Sequence, residues 1–313
     1  MDSKPANGRE TGWRAVVQVL RSPANLIQQL AHDVITTIFP ADCRCCGGPL
    51  DRAGAVPVCA ACVGRLRQST LPACQRCGEA IDLNLDMEDV RFAGMLAEGS
   101  VCRECSLAAP AFTRAVAYGV YDQELRQLIR LLKFSRISAV ARLLGGRMAD
   151  TILTLEGVAA NDLLVIAVPL FRQRERQRGY NQSVLLADDA VRRLRTLRPG
   201  WKLTPAHRAL ERRRSTESSF VLSRKGRRRN LSGAFRIRAD RQDAVRGREV
   251  LLIDDIFTTG ATARECARVL VAAGATKVWV ATLSRRQNRL VQRQHEDPTE
   301  LVATWDLAPS APG

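Results

Sequence analysis

The stretch Val250 to Thr262, VLLIDDIFTTGAT, restricts the fold of this chain more than any other. The apolar run Val250–Ile253 is too short for a buried helix. It suits a strand covered on both faces, as in a parallel sheet. Asp254 and Asp255 follow at the carboxyl end of that strand, where open α/β sheets bind ligands. The turn Thr258-Thr259-Gly260-Ala261-Thr262 can aim several backbone N–H groups at one anion at the start of a helix. Two carboxylates beside an anion cradle suit a sugar phosphate. The acids would take hydroxyls or a hydrated Mg2+, and the turn would take the phosphate.

The second constraint is cysteine spacing. Cys43-x-x-Cys46 is followed after 12 residues by Cys59-x-x-Cys62, and Cys74-x-x-Cys77 after 24 residues by Cys102-x-x-Cys105. Two C-x-x-C knuckles place four thiolates around one ion in the closed geometry of structural zinc. Eight such cysteines predict two zinc ribbons in tandem. Sequential and crossed pairing of the knuckles both satisfy the spacing. Cys45 is either a spare thiol or an alternative ligand. Gly47-Gly48 and Gly78 follow their knuckles, where a tight turn needs positive φ. Cys266 falls on the helix after the acidic strand and reads as a small core residue. Residues 41–110 hold too little apolar content for a core of their own, so metal would supply much of their stability.

The rest of the chain reads as α/β from residue 111. Strands are predicted at Ala115–Tyr121, Leu163–Val168, Val250–Ile253 and Val278–Leu283, and helices at Asp122–Phe134, Ile137–Leu155, Gln182–Leu197 and Ala263–Ala273. Strand, helix and strand at this spacing predict a parallel sheet flanked by helices. Before the cysteines, Trp13 to Phe39 carries a loosely amphipathic pattern broken at Ser22-Pro23. The organisation predicted is a helical segment over 1–40, a double zinc ribbon over 41–110, an α/β domain over 111–308 and a disordered tail over 309–313. No apolar run approaches the ~20 residues that span a membrane. The polar start, MDSKPANGRE, lacks a hydrophobic signal core, so a cytoplasmic protein is expected.

Charge is the third feature. Between Arg172 and Arg248 stand 21 arginines and 2 lysines against 7 acids, a net +16 that equals the charge of the whole chain. Arginine grips phosphate bidentately, yet one small ligand cannot employ so many. The excess fits either a polyanion such as single-stranded DNA or a solvated arginine surface. Val168-Pro169-Leu170 leads into RQRERQRGYNQ, expected as a loop beside the acidic turn. There Arg176 and Arg178 would hold pyrophosphate, and Gly179 would allow close backbone approach. Tyr180 would either stack on a base or ring or serve as a core or hinge residue.

VLLIDDIFTTGAT resembles the phosphoribosyl-pyrophosphate (PRPP) signature of type I phosphoribosyltransferases. The order of paired knuckles, YGVYDQELRQLIRLLKF, VPLFRQRERQRGYNQ, RRNLSGAF and VLLIDDIFTTGAT resembles the ComF family, the ComFC and GntX group, over about residues 35–285. The resemblance implies a double zinc ribbon joined to a type I phosphoribosyltransferase-like domain, with structural Zn2+, and Mg2+ bound with PRPP. It implies Asp254 and Asp255 on the ribose hydroxyls, Thr258, Thr259, Gly260, Ala261 and Thr262 on the 5′-phosphate, and Arg176 and Arg178 on the leaving group. It also implies a link to DNA uptake in natural transformation, beside a competence helicase and single-strand-handling proteins. The acceptor is not legible. A second reading is a catalytically silent PRPP fold that binds single-stranded DNA or docks the helicase. One departure stands out: Ser219 occupies the place where the family commonly has Gln, which puts in doubt any acceptor contact there.

Overall fold

Parallel strands buried on both faces need near-continuous apolar runs, and the runs of this chain become such strands. The computed structural model describes residues 42–50, 56–81, 100–134, 138–215 and 224–287. The readings of Trp13–Phe39, of the tail and of Ser219 lie outside the described residues. Five strands, β1 (Arg114–Val120), β2 (Asp162–Ala167), β3 (Lys202–Pro205), β6 (Glu249–Phe257) and β7 (Lys277–Arg285), form one sheet in the order β1-β7-β6-β2-β3. Every neighbouring pair in it is parallel. Strands β4 (Leu210–Arg212) and β5 (Phe235–Ile237) make a separate antiparallel pair.

The helices are α1 (Ala60–Gly64), α2 (Arg103–Leu107), α3 (Gln123–Phe134), α4 (Ser138–Leu153), α5 (Arg172–Arg178), α6 (Gln182–Leu197), α7 (Arg224–Leu231), α8 (Gln242–Val245) and α9 (Ala261–Ala272). No helix among the described residues is long and apolar enough to cross a membrane. Asp122 caps α3 by accepting the Leu125 N–H at 2.9 Å. Leu125, Leu128, Ile129 and Leu132 then bury one face of it completely. Each such side chain is worth roughly 1.5–3 kcal/mol. Asn181 caps α6, accepting the Ser183 N–H at 3.0 Å while its amide donates to the Val168 carbonyl at 3.0 Å. That pair of bonds fixes where the chain leaves β2.

The chain divides into two units, Met1–Ala60 and Ala61–Gly313. Within the larger unit, one face of the sheet (Leu164, Ile166, Val250, Leu252, Val278, Val280) packs with α9 through Ala263, Cys266, Ala267 and Leu270. Cys74, Cys77, Cys105 and Phe112 belong to that same core. The second pair of knuckles is thus part of the hydrophobic interior of the sheet.

Two local findings differ from the sequence reading. Strand β6 runs on through the acids to Phe257, because β7 continues beside it and pairs Asp254 with Thr282 and Ile256 with Ser284. The segment expected as a loop after β2 is helical over Arg172–Arg178. Three further elements escaped the pattern. Strand β3 is only four residues long, and β4 and β5 three each, lengths that leave no readable period.

Candidate functional site

The sheet's carboxyl edge is opened by strand lengths. Strand β2 ends at Ala167, opposite Ile253, and the last bond across that gap is Val168 N–H to Ile253 carbonyl at 2.8 Å. Beyond it β6 keeps a partner only in β7. The β6–β2 boundary is also where successive crossovers turn in opposite directions, β2 leading to β3 and β6 to β7. That is the switch point at which α/β sheets form a ligand crevice.

Asp254 and Asp255 stand on β6 at this opening. Alternation along the strand sends them to opposite faces. Asp255 is buried, and its Oδ2 is ion-paired with Lys133 Nζ at 2.7 Å. Asp254 is half-buried; its Oδ1 accepts from Ser183 Oγ at 3.2 Å and from the Asp255 N–H at 2.9 Å. Burial and the neighbouring Asp255 charge push the Asp254 carboxyl up to about 7. One acid therefore carries a compensated charge, and the other is poised to ionise near neutrality or when a cation arrives.

The turn after β6 supplies the opposite polarity. Gly260 is left-handed, at φ 69°, and caps α9. A Cβ there would meet the Phe257 ring at 2.4 Å, so conformation and space both require glycine. The first backbone bond of the helix is Arg264 N–H to Gly260 carbonyl at 2.8 Å. The N–H groups of Ala261, Thr262 and Ala263 are left for an anion. Thr258 is exposed, and Thr259 and Thr262 are partly so.

Helix α5 borders this region. Arg172, Arg174 and Arg176 are exposed and make no ion pair among the described residues. Arg178 is already engaged: it donates to Gln182 Oε1 at 2.7 Å and lies over the Phe134 ring at 5.3 Å. Gly179 closes the helix at φ 81°. The Tyr180 hydroxyl donates to the Leu132 carbonyl, which ties the α5 segment to the end of α3, next to Lys133. Lys133, Ser183 and Asn181 are the residues that sequence reasoning missed. The only signal for them was position: a lysine in the last turn of α3, and an Asn-Gln-Ser run at the start of α6.

The cysteines gather in two sets, Cys43, Cys46, Cys59, Cys62 and Cys74, Cys77, Cys102, Cys105, with the sulfurs of each within 4.8 Å of one another. This is sequential pairing. Cys45 contributes its backbone N–H to Cys43 Sγ at 3.4 Å, and Cys59 N–H does the same at 3.3 Å. Against the opposing effect of burial, these N–H groups and that of Cys46 hold the Cys43 thiol down at about 6, which favours the ligating thiolate. Four convergent sulfurs with N–H···S support are the donor set that structural zinc requires. Gly47 and Gly78 have the positive φ expected after a knuckle, at 73° and 71°; Gly48 does not.

Two four-cysteine clusters, the second within the core of a parallel sheet whose open end pairs an acidic strand with an N–H-lined turn, define a zinc-ribbon α/β protein. The double zinc ribbon domain family matches residues 34–106. The DNA utilization protein YhgH of Escherichia coli O157:H7 is 36% identical over 186 residues, covering 59% of this chain and 77% of the relative. Competence protein F of Haemophilus influenzae is 31% identical over 189 residues, covering 59% and 78%. The chain belongs to the ComF family. A hypoxanthine phosphoribosyltransferase of Staphylococcus aureus aligns structurally at 16% identity and a TM-score of 0.31, over 47% of this chain and 64% of that one, just under two thirds.

Proposed function

We propose that the open end of β6 binds PRPP together with Mg2+, and that this ComF-type protein serves DNA uptake. One observation carries the reading: the acidic end of β6, with Asp254 and Asp255, leads through one short turn into the N–H-bearing start of α9, at the switch point of a parallel sheet. In this reading the turn from Thr258 to Thr262 holds the 5′-phosphate. Asp254 and Asp255 hold the ribose hydroxyls, with Mg2+ screening the pyrophosphate oxygens when bound. Arg176, which has no ion pair among the described residues, and Arg178 lie on the leaving-group side. In transfer, an acceptor nucleophile's lone pair would form the new bond to the anomeric carbon as the C–O bond breaks and its electrons leave with pyrophosphate, and these residues would contribute positioning and charge stabilisation to that step. Lys133 holds the Asp255 carboxylate in place, at 2.7 Å, before the ligand arrives. Structural Zn2+ in the two cysteine sets completes the fold.

Calorimetric titration of Mg2+–PRPP into the full chain tests this. Saturable binding is expected, with loss of at least about tenfold in affinity in Asp254→Asn/Asp255→Asn. A wild-type protein that takes up no PRPP would reduce the site to scaffold.

A second reading is favoured by one further observation, the exposed Arg172, Arg174 and Arg176. They suit the backbone of single-stranded DNA, in keeping with relatives named for DNA utilization and competence. Replacing all three by Gln should lower the salt slope of single-stranded DNA binding by about 2, three charges at ~0.7 each. An unchanged slope would remove α5 from the DNA surface.

A further inference from the structure

The second cysteine set lies under the anion-binding turn, and two arginines join them. Arg264 stands in the first turn of α9, the turn whose N–H groups face the anion. Its guanidinium donates to the Ala108 carbonyl at 2.9 Å and to Cys105 Sγ at 3.7 Å. Arg285 ends β7, paired in register with Phe257 of β6. It is buried, is ion-paired with Glu79, and donates to Cys77 Sγ at 3.5 Å. Its guanidinium also lies 4.4 Å from the centre of the Phe257 ring. That ring occupies the space where a side chain on Gly260 would stand. Phe112, just past the last knuckle, meets the same ring edge-on at 6.1 Å. Two continuous paths result: Cys105–Arg264–α9, and Cys77–Arg285–Phe257–Gly260.

The charges explain why arginine is used. Four thiolates around a divalent ion leave a net charge near −2, which is costly beside an apolar core. Two guanidiniums directed at ligating sulfurs offset it, and outer-shell donors of this kind fix the orientation of metal ligands. Arg285 can neutralise the cluster only from where it also supports Phe257. Gln287, two residues on, also holds the knuckle, accepting the Ala80 N–H at 2.9 Å and donating to the Gly78 carbonyl at 3.2 Å.

We propose that Arg264 and Arg285 are positioning residues that couple the metal–thiolate centre of the second cysteine set to the geometry of the anion-binding turn. The assignment rests on the reading of that turn as a phosphate site. By linkage, phosphate at the turn then perturbs the metal centre as much as the centre shapes the turn.

The test uses the full chain loaded with cobalt(II) and titrated with ribose 5-phosphate, with binding followed by calorimetry. The sulfur-to-cobalt charge-transfer band is expected to shift in step with the heat. In Arg264→Met and in Arg285→Lys the band should stay still while cobalt content holds at one ion per cysteine set. Heat without a band shift in the wild type would overturn the coupling. A second arm needs no ligand: hydrogen exchange over residues 258–262 of the zinc-loaded protein. It should rise about tenfold in either variant, with β2 protection unchanged. Exchange within about twofold of wild type would overturn the coupling. If ribose 5-phosphate failed to bind, that failure would count against the phosphate reading alone, and the exchange arm would still decide. Should Arg285→Lys fail to fold, Arg264→Met, at a partly exposed position, decides by itself.

Discussion

The two cysteine sets share a motif and differ in surroundings. In the first, Cys43 and Cys62 are buried while Cys46 is exposed and Cys59 half-buried, and Arg65 donates to Cys62 Sγ at 3.2 Å. In the second, Cys74, Cys77 and Cys105 are buried in the core that contains Leu252, Val280 and Phe257. The same four thiolates can therefore serve as a local clasp or as part of a domain's interior, and the second shell decides which. Spacing identifies the ligands but carries no information about that difference.

The largest effect that would sharpen or break the comparison comes from the cysteines themselves. A structural zinc is worth ~10–16 kcal/mol, comparable to or above the ~5–15 kcal/mol stability of a whole domain. Cys77→Ser should therefore abolish the cooperative thermal transition of the sheet, read by circular dichroism. Cys46→Ser should move that transition by less than about 1 kcal/mol. Equal effects from the two substitutions would erase the distinction.

A smaller effect is expected at Lys133. Lys133→Met leaves the buried Asp255 carboxylate unpaired, which should cost about 2 kcal/mol after allowance for partial exposure of the lysine. The loss should appear in the same transition that Cys77→Ser removes, because the two faces of one small sheet unfold together. Chemical denaturation of the two variants checks this.

The smallest effect is in pH. The Asp254 carboxyl titrates at about 7 in the folded chain, against 3.8 without burial. The folded state thus holds a proton that the unfolded state has released, and stability falls as pH rises from about 4 to about 7, then levels. Asp254→Asn lacks this slope. Relative to wild type it should gain about 1 kcal/mol between pH 6 and pH 8, measured by urea denaturation. No relative gain would mean that the carboxylate is already ionised at pH 6.

Much of this molecule was legible in its sequence. Helix α6 occupies Gln182–Leu197 as read, since both its Asn181 cap and its apolar face are local signals. The central strands and the crossover helix α9 were found within a few residues, because fully apolar runs between Gly-containing turns admit few alternatives. The acids and the turn were visible as a contiguous motif. What could not be read was assembled at long range. Lys133 lies 122 positions from Asp255. Arg285 reaches a thiolate 208 positions away, and nothing near either residue marks the pairing. Tyr180 had two readings, and the structure adds that its hydroxyl donates to the Leu132 carbonyl, a partner 48 positions away.

The most direct test of the central claim, that the second metal centre is part of the sheet's own core, is a stepwise chelator titration of the zinc-loaded full chain. Released zinc would be counted against hydrogen exchange in β2 and β6. The first zinc should leave with strand protection intact, and the second should leave only as strand protection collapses. Strands that stay protected after both metals are gone would contradict the account.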